Sequence, residues 1–287
     1  METIWELDFY SRPIRDENNK KLWEVLICES PLQVKAAEGE LFRYHKFCSA
    51  QNVNSIFLQE ALNEAMEKSG TTPKKIRFFR RQMNNMITKA CEDLDITALP
   101  SRRTYALNKW LQERLEQVYP QQEGYDESAV KNASVQYPAE NALVLPDAIR
   151  GDRGDKWAFV TLEAQAFQEM EEWDISFGEG FPLSIFELSP ETQIPGLVIF
   201  SPRAIPFAGW MSGIELSQIQ LQEGSLPRLV LQTGSSDCWI LADITNPETL
   251  KEAQGFAAAK KGAEGVHFFA IQTDPSSESF AGFWLLA

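Results

Sequence analysis

With 287 residues, 44% of them hydrophobic and 24% charged, the chain has the composition of a folded protein long enough for two ordinary domains, which excludes a disordered chain. The formal net charge of -14 argues against indiscriminate binding to polyanions, and no apolar run reaches the roughly 18 residues of a membrane-spanning helix. The charge is uneven: residues 1–120 carry 18 Lys+Arg against 17 Asp+Glu, and the remaining 167 residues carry 9 against 24.

The opening "WELDFYSRPIRDENNKKLWEVLIC" reads as two strands, about residues 4–11 and 21–28, joined by a polar turn. "ELFRYHKFCS" predicts a third strand. Residues 53–68 place Ile56, Phe57, Ala61, Leu62, Ala65 and Met66 at helical spacing, and Gly70 stops that helix. "KKIRFF" is a short strand. A helix starting near Phe79 follows, with Met83, Met86, Ile87, Ala90, Cys91 and Leu94 as its inner stripe. Ser101 then serves as N-cap for a helix burying Leu107, Trp110, Leu111, Leu115 and Val118.

Residues 119–141, "YPQQEGYDESAVKNASVQYPAEN", are polar and lack an apolar period. The expected organisation is an N-terminal α/β domain at 1–120 with a basic helical surface, a linker at 121–141 and an acidic C-terminal α/β domain at 142–287. In that second domain "KWAFVTLEA" is a strand, "RLVLQTG" and "CWILADI" pair, and a helix opens at Thr245-Asn246-Pro247. "GVHFFAIQ" is a buried strand. The terminal "FAGFWLLA", with Phe283, Trp284, Leu285 and Leu286, is either a last core strand or a partner contact. The fold class is therefore mixed α/β in two domains, each a mixed sheet with flanking helices; the repeated strand-pair, helix, strand order leaves an ancient duplication open.

Signatures of chemistry are sparse. Nucleotide-cradling glycine loops and the serine-hydrolase elbow are absent. Four scattered cysteines, Cys28, Cys48, Cys91 and Cys238, with only His45 and His267 beside them, argue against a zinc site or disulfide framework. His267, inside "HFFAI", reads as a satisfied strand residue. Asp8, Glu24 and Asp243 sit on apolar strands and form the one enzyme-like set, that of a Mg²⁺-dependent nuclease or its inactive descendant. Strand alternation favours instead that these acids point outward to water. No catalytic residue, metal ligand or cofactor is assigned.

The most informative stretch is basic and aromatic. Residues 74–114 hold 10 basic against 4 acidic residues. Lys74, Lys75, Arg77, Arg80, Arg81, Lys89, Arg102, Arg103 and Lys109, with Tyr105 as a stacking surface, make a candidate site for single-stranded RNA, where phosphates are neutralised and bases stack.

"WELDFYSRPI", "KKLWEVLICES", "RFFRRQMNNMITKAC", "SRRTYALNKWLQERLEQVYP" and the final "FWLLA", in that order, resemble the Tab-two family of oxygenic phototrophs, called ATAB-two in plants. The resemblance implies an RNA-binding factor that promotes translation of photosystem reaction-centre subunits and prefers A/U-rich leaders. It implies single-stranded RNA rather than DNA as partner, with translation or photosystem assembly proteins beside it, and no enzymatic step. A protein-only assembly scaffold is the other non-enzymatic reading. The start "METIWE" has neither a secretory nor a transit pattern, so the expectation is a cytoplasmic, cyanobacterial member.

Overall fold

The structure is a computed structural model that describes residues 3–35, 41–130, 142–146 and 155–287. The chain divides into two compact units, residues 1–30 with 39–137, and residues 31–38 with 138–287.

In the first unit β1 (Ile4–Arg15) and β2 (Lys21–Glu29) form an antiparallel pair, and β3 (Arg43–Cys48) adds antiparallel to β2. Asp16 closes the first turn by accepting the Asn18 and Lys20 N–H groups, with Asn19 at φ 60°. α1 (Ser55–Ser69) is capped by Asn54, whose side chain accepts the Phe57 N–H at 2.9 Å. It ends at Gly70, whose φ of 69° is the left-handed conformation a helix terminus favours. β4 (Lys75–Phe78), α2 (Asn84–Glu92), β5 (Thr97–Pro100), α3 (Tyr105–Glu113) and the short α4 (Glu127–Val130) follow. The described sheet runs β3-β2-β1-β4-β5, with β4 and β5 parallel to β1.

One face of this sheet is apolar: Trp5, Leu7, Phe9, Val25, Ile27, Ile76 and Phe78 pack against Leu58, Ala61 and Leu62 of α1 and Ile87, Ala90 and Cys91 of α2. The other face carries Leu26, Cys28 and Phe79 against Ala106, Leu107 and Trp110 of α3, with charged residues alongside. Burial pushes the Cys28 thiol well above its usual range and that of Cys91 to about 12, so both are inert apolar fillers.

Three sequence expectations shift here. The helix expected from Phe79 starts at Asn84; Arg80 is extended and a 3-10 turn at Arg81–Met83 precedes α2. Ser101 does not cap α3: its hydroxyl accepts the Arg103 N–H, and Thr104 at the cap position makes no side-chain cap bond. The expected linker, 121–141, begins as packed chain, because Tyr125 bridges Ile14 and Asp126 pairs with Arg15 at 2.9 Å. Residues 131–141 of that linker lie outside the described residues.

The second unit contains β6 (Leu143–Val144), β7 (Lys156–Glu163), β8 (Ile175–Glu179), β9 (Gln193–Phe200), α5 (Ala204–Ser212), β10 (Leu216–Gln222), β11 (Arg228–Thr233), β12 (Asp237–Asp243), α6 (Pro247–Gly262), β13 (His267–Gln272) and β14 (Phe280–Leu286). Its described strands form two sheets, β10-β11-β12-β6 and β7-β9-β13-β14-β8, a different order from the first unit. Asn246 caps α6 by accepting the Glu248 N–H, with Pro247 in the first turn. β14 lies inside its sheet, antiparallel to β13 and parallel to β8. Phe283, Leu285 and Leu286 are fully buried and Trp284 stacks on Phe269. His267 is fully buried: Nε2 accepts the Ile219 N–H at 2.9 Å and Nδ1 lies 2.7 Å from the Gly265 carbonyl, the neutral Nδ1–H tautomer.

Candidate nucleic-acid interface

β1 alternates Trp5, Leu7 and Phe9 with Glu6 and Asp8, and all five are buried because helices cover both faces of the sheet. The acids therefore face α3 and the segment after it, away from water. A buried carboxylate needs charged partners to stay ionised, and arginines from distant parts of the chain supply them.

Asp8 accepts Arg12 Nη1 at 2.8 Å and Arg80 through Nε at 2.6 Å and Nη2 at 3.3 Å. Arg12 turns its Nε to Glu24 at 3.1 Å, so one guanidinium bridges both acids. Glu24 also takes the Arg114 Nη2 and the Tyr119 hydroxyl, the latter at 2.5 Å, and His45 Nδ1 stands 3.3 Å from its Oε1. Arg80 lies 3.8 Å from the Tyr10 ring centroid, a cation–π stack. Arg114 enters through a π-helical turn at Arg114–Val118.

Burial alone raises a carboxyl's pKa, but the charges of Arg12 and Arg80 outweigh it and hold Asp8 below the usual carboxylate range. Glu24 is lowered likewise: burial opposes, and the His45 hydrogen bond and Arg12 prevail. Burial and the Glu24 carboxylate push the Tyr119 hydroxyl upward. Two carboxylates and three guanidiniums leave this cluster a formal excess of one positive charge.

A third buried acid organises α3. Glu6 accepts the Ser30 hydroxyl and the Leu107 N–H, each at 2.8 Å. Leu107 is in the first turn, so a strand carboxylate performs the capping that Ser101 does not, at the positive end of the helix dipole. Arg77, level with Glu6 on β4, places Nη1 3.4 Å from the same Ser30 hydroxyl.

The ten expected RNA contacts fall into three groups. Arg77, Arg80 and Arg103 are buried. Lys75, Arg102, Tyr105 and Lys109 are half-buried, and Arg103 lies 5.7 Å from the Tyr105 ring centroid. Lys74, Arg81 and Lys89 are exposed, Lys89 with an ion pair to Asp93 at 2.6 Å. The division follows the late start of α2: Arg80, still extended, points to Asp8, while Arg81 enters the 3-10 turn and faces water.

The two first-unit members of the nuclease-like set form no open metal site. Asp8 and Glu24 point inward, contrary to the outward orientation expected from alternation, and arginines fill the space a divalent cation would need. Asp243, in the second unit, pairs with Arg228 at 2.8 Å. Among the described residues no group of three or more His, Cys, Asp or Glu is placed to hold a metal. Arg12, Arg114, Tyr119, Glu6 and His45 are the participants that sequence reasoning missed. The signal was present in "WELDFYSR", where charges alternate inside a strand too apolar to expose either face.

Two family descriptions match the chain: "RNA-binding protein Tab2/Atab2 N terminal" over residues 4–114 and "RNA-binding protein Tab2/Atab2, C-terminal domain" over residues 132–287. A protein of Arabidopsis thaliana named "Protein TAB2 homolog, chloroplastic" is 38% identical over 98% of this chain and 74% of its own length. A protein of the same name from Zea mays is 37% identical over 98% of this chain and 70% of its own. A chain in the simian T-cell lymphotropic virus intasome complexed with PP2A regulatory subunit B56 gamma is similar at 16% identity, over 41% of this chain and 40% of that one. Its TM-score of 0.29 is too low to bear on fold or function. With both family domains matched in order and two relatives aligned over nearly its whole length, the chain belongs to the Tab2/Atab2 family of RNA-binding proteins.

Proposed function

We propose that this protein binds A/U-rich single-stranded RNA in the leaders of photosystem subunit messages and promotes their translation. The observation that supports the reading is how many basic residues of the first unit reach solvent: Lys74, Arg81 and Lys89 are exposed and Lys75, Arg102 and Lys109 are half-buried. The buried arginines complement it from below: Arg80, Arg12 and Arg114 neutralise the unit's inward carboxylates, so these acids do not cancel the surface charge. Tyr105, half-buried, offers a ring to a base.

The role requires no covalent step. Phosphate contacts supply affinity, and bound protein keeps a leader single-stranded or brings translation or assembly proteins to it. The message class and A/U preference rest on the family resemblance; a cytoplasmic site of action belongs to the same proposal and is tested by cell fractionation. No membrane-crossing helix is present among the described residues.

Filter binding of the full chain to an A/U-rich oligonucleotide over a salt series tests the function. Affinity should fall steeply with salt, and Lys74→Glu with Arg81→Glu should flatten the slope by about 0.7 per lost phosphate contact. Affinity indifferent to salt and to both substitutions would leave the protein-only scaffold as the better reading.

A further inference from the structure

The outer row of β3 lies on the charged face of the first unit's sheet and at its edge. Arg43, His45 and Phe47 alternate there with the inward Tyr44 and Cys48. Arg43 and His45 are exposed and Phe47 is half-buried. None of the three belongs to the 74–109 stretch.

Each of the three is held. Glu24, fully buried one strand away, approaches His45 Nδ1 at 3.3 Å, which leaves Nε2 as the nitrogen open to a ligand. His45 and Phe47 meet edge to face, with centroids 5.9 Å apart at 80°. Arg43 lies 5.5 Å from the Trp110 ring centroid and pairs with Glu113 at 3.0 Å. That ion pair is about one-third exposed on each side, so exchanging the carboxylate for a phosphate costs little.

Alternate residues on a strand stand about 6.7 Å apart, twice the roughly 3.4 Å of stacked bases. The row therefore suits nucleotides splayed out along a strand, with a base against Phe47, a base N–H or ribose hydroxyl donating to His45 Nε2 and a phosphate at Arg43. The two guanidiniums that pair with Glu24, those of Arg12 and Arg114, keep the local field favourable to an anion.

We propose that Arg43, His45 and Phe47 on β3 form a base-stacking and phosphate-contacting strip for single-stranded RNA, separate from the basic set. It rests on the RNA-binding reading and assigns Glu24 the part of a positioning residue for His45.

The test measures binding of the full chain to a uridine-rich oligonucleotide across a salt series, for the unaltered protein, Phe47→Ala, Phe47→Trp and His45→Ala. Circular dichroism checks that each variant is folded. Phe47→Ala should bind about tenfold more weakly with an unchanged salt slope, because stacking rather than charge is lost, and Phe47→Trp should restore binding. Photo-crosslinks should map to the tryptic peptide of residues 47–68. Binding that Phe47→Ala and His45→Ala leave unchanged overturns the strip alone; no binding by the unaltered chain overturns the RNA reading and the strip together.

Discussion

Arg80 grips Asp8 across 72 residues of sequence, Nε to Oδ1 at 2.6 Å and Nη2 to Oδ2 at 3.3 Å, with both side chains almost wholly out of water. Its neighbour Arg81 is exposed. Two adjacent arginines thus carry opposite duties, one held against a desolvated carboxylate and the other facing solvent.

Arg80→Ala should destabilise the first unit by about 3–5 kcal/mol, since it strips a buried carboxylate of a principal partner. Arg81→Ala should stay within about 0.5 kcal/mol of the parent while weakening RNA binding. Urea unfolding followed by near-UV circular dichroism, alongside filter binding, separates the two.

Acid should expose the Asp8 ion pair. Its folded pKa is lowered below 3.8, so its contribution is complete above the unfolded value and is lost as pH falls through the folded one. Asp8→Asn should be markedly less stable at pH 7, with the gap to the parent shrinking below about pH 4. A gap independent of pH would mean that packing, not charge, holds this position.

Lys260 gives a signature at the other end of the scale. Its ammonium donates to Gln218 Oε1 and the Ile219 carbonyl, each at 2.8 Å, and burial lowers its pKa to about 8. The unfolded chain then holds more protons between about pH 8 and pH 10.5, so stability conferred at this site rises with pH over that window. Replacing it, as in Lys260→Met, should flatten the rise, as read from thermal unfolding at stepped pH.

Gly282→Ala should cost the second unit about 1–3 kcal/mol. A Cβ there would overlap the Trp284 ring and crowd Ala208. Trp284→Ala should cost about 3–5 kcal/mol, because the indole stacks on Phe269 in the core. Loss of only a partner, with unfolding unchanged, would instead assign the terminal segment to an interface.

Much of the fold was legible because local rules acted alone. Gly70, Asn246 and Pro247 mark helix ends wherever they stand, and "RLVLQTG", "CWILADI" and "GVHFFAIQ" are strands by composition and period. The start of α2 was misread because Arg80 belongs to an extended segment fixed by Asp8, a partner that periodicity cannot see.

The sequence by itself determined the mixed α/β class, the segregation of acidity into the second half and, through its ordered motifs, the family. Only the tertiary structure decided which charges face the solvent. Helices cover both faces of the first sheet, so Asp8, Glu24 and Glu6 lose water and draw Arg12, Arg80, Arg114 and the Leu107 N–H to themselves. A basic residue's role depends on whether a carboxylate has been desolvated beside it, and that proximity is a property of the folded chain.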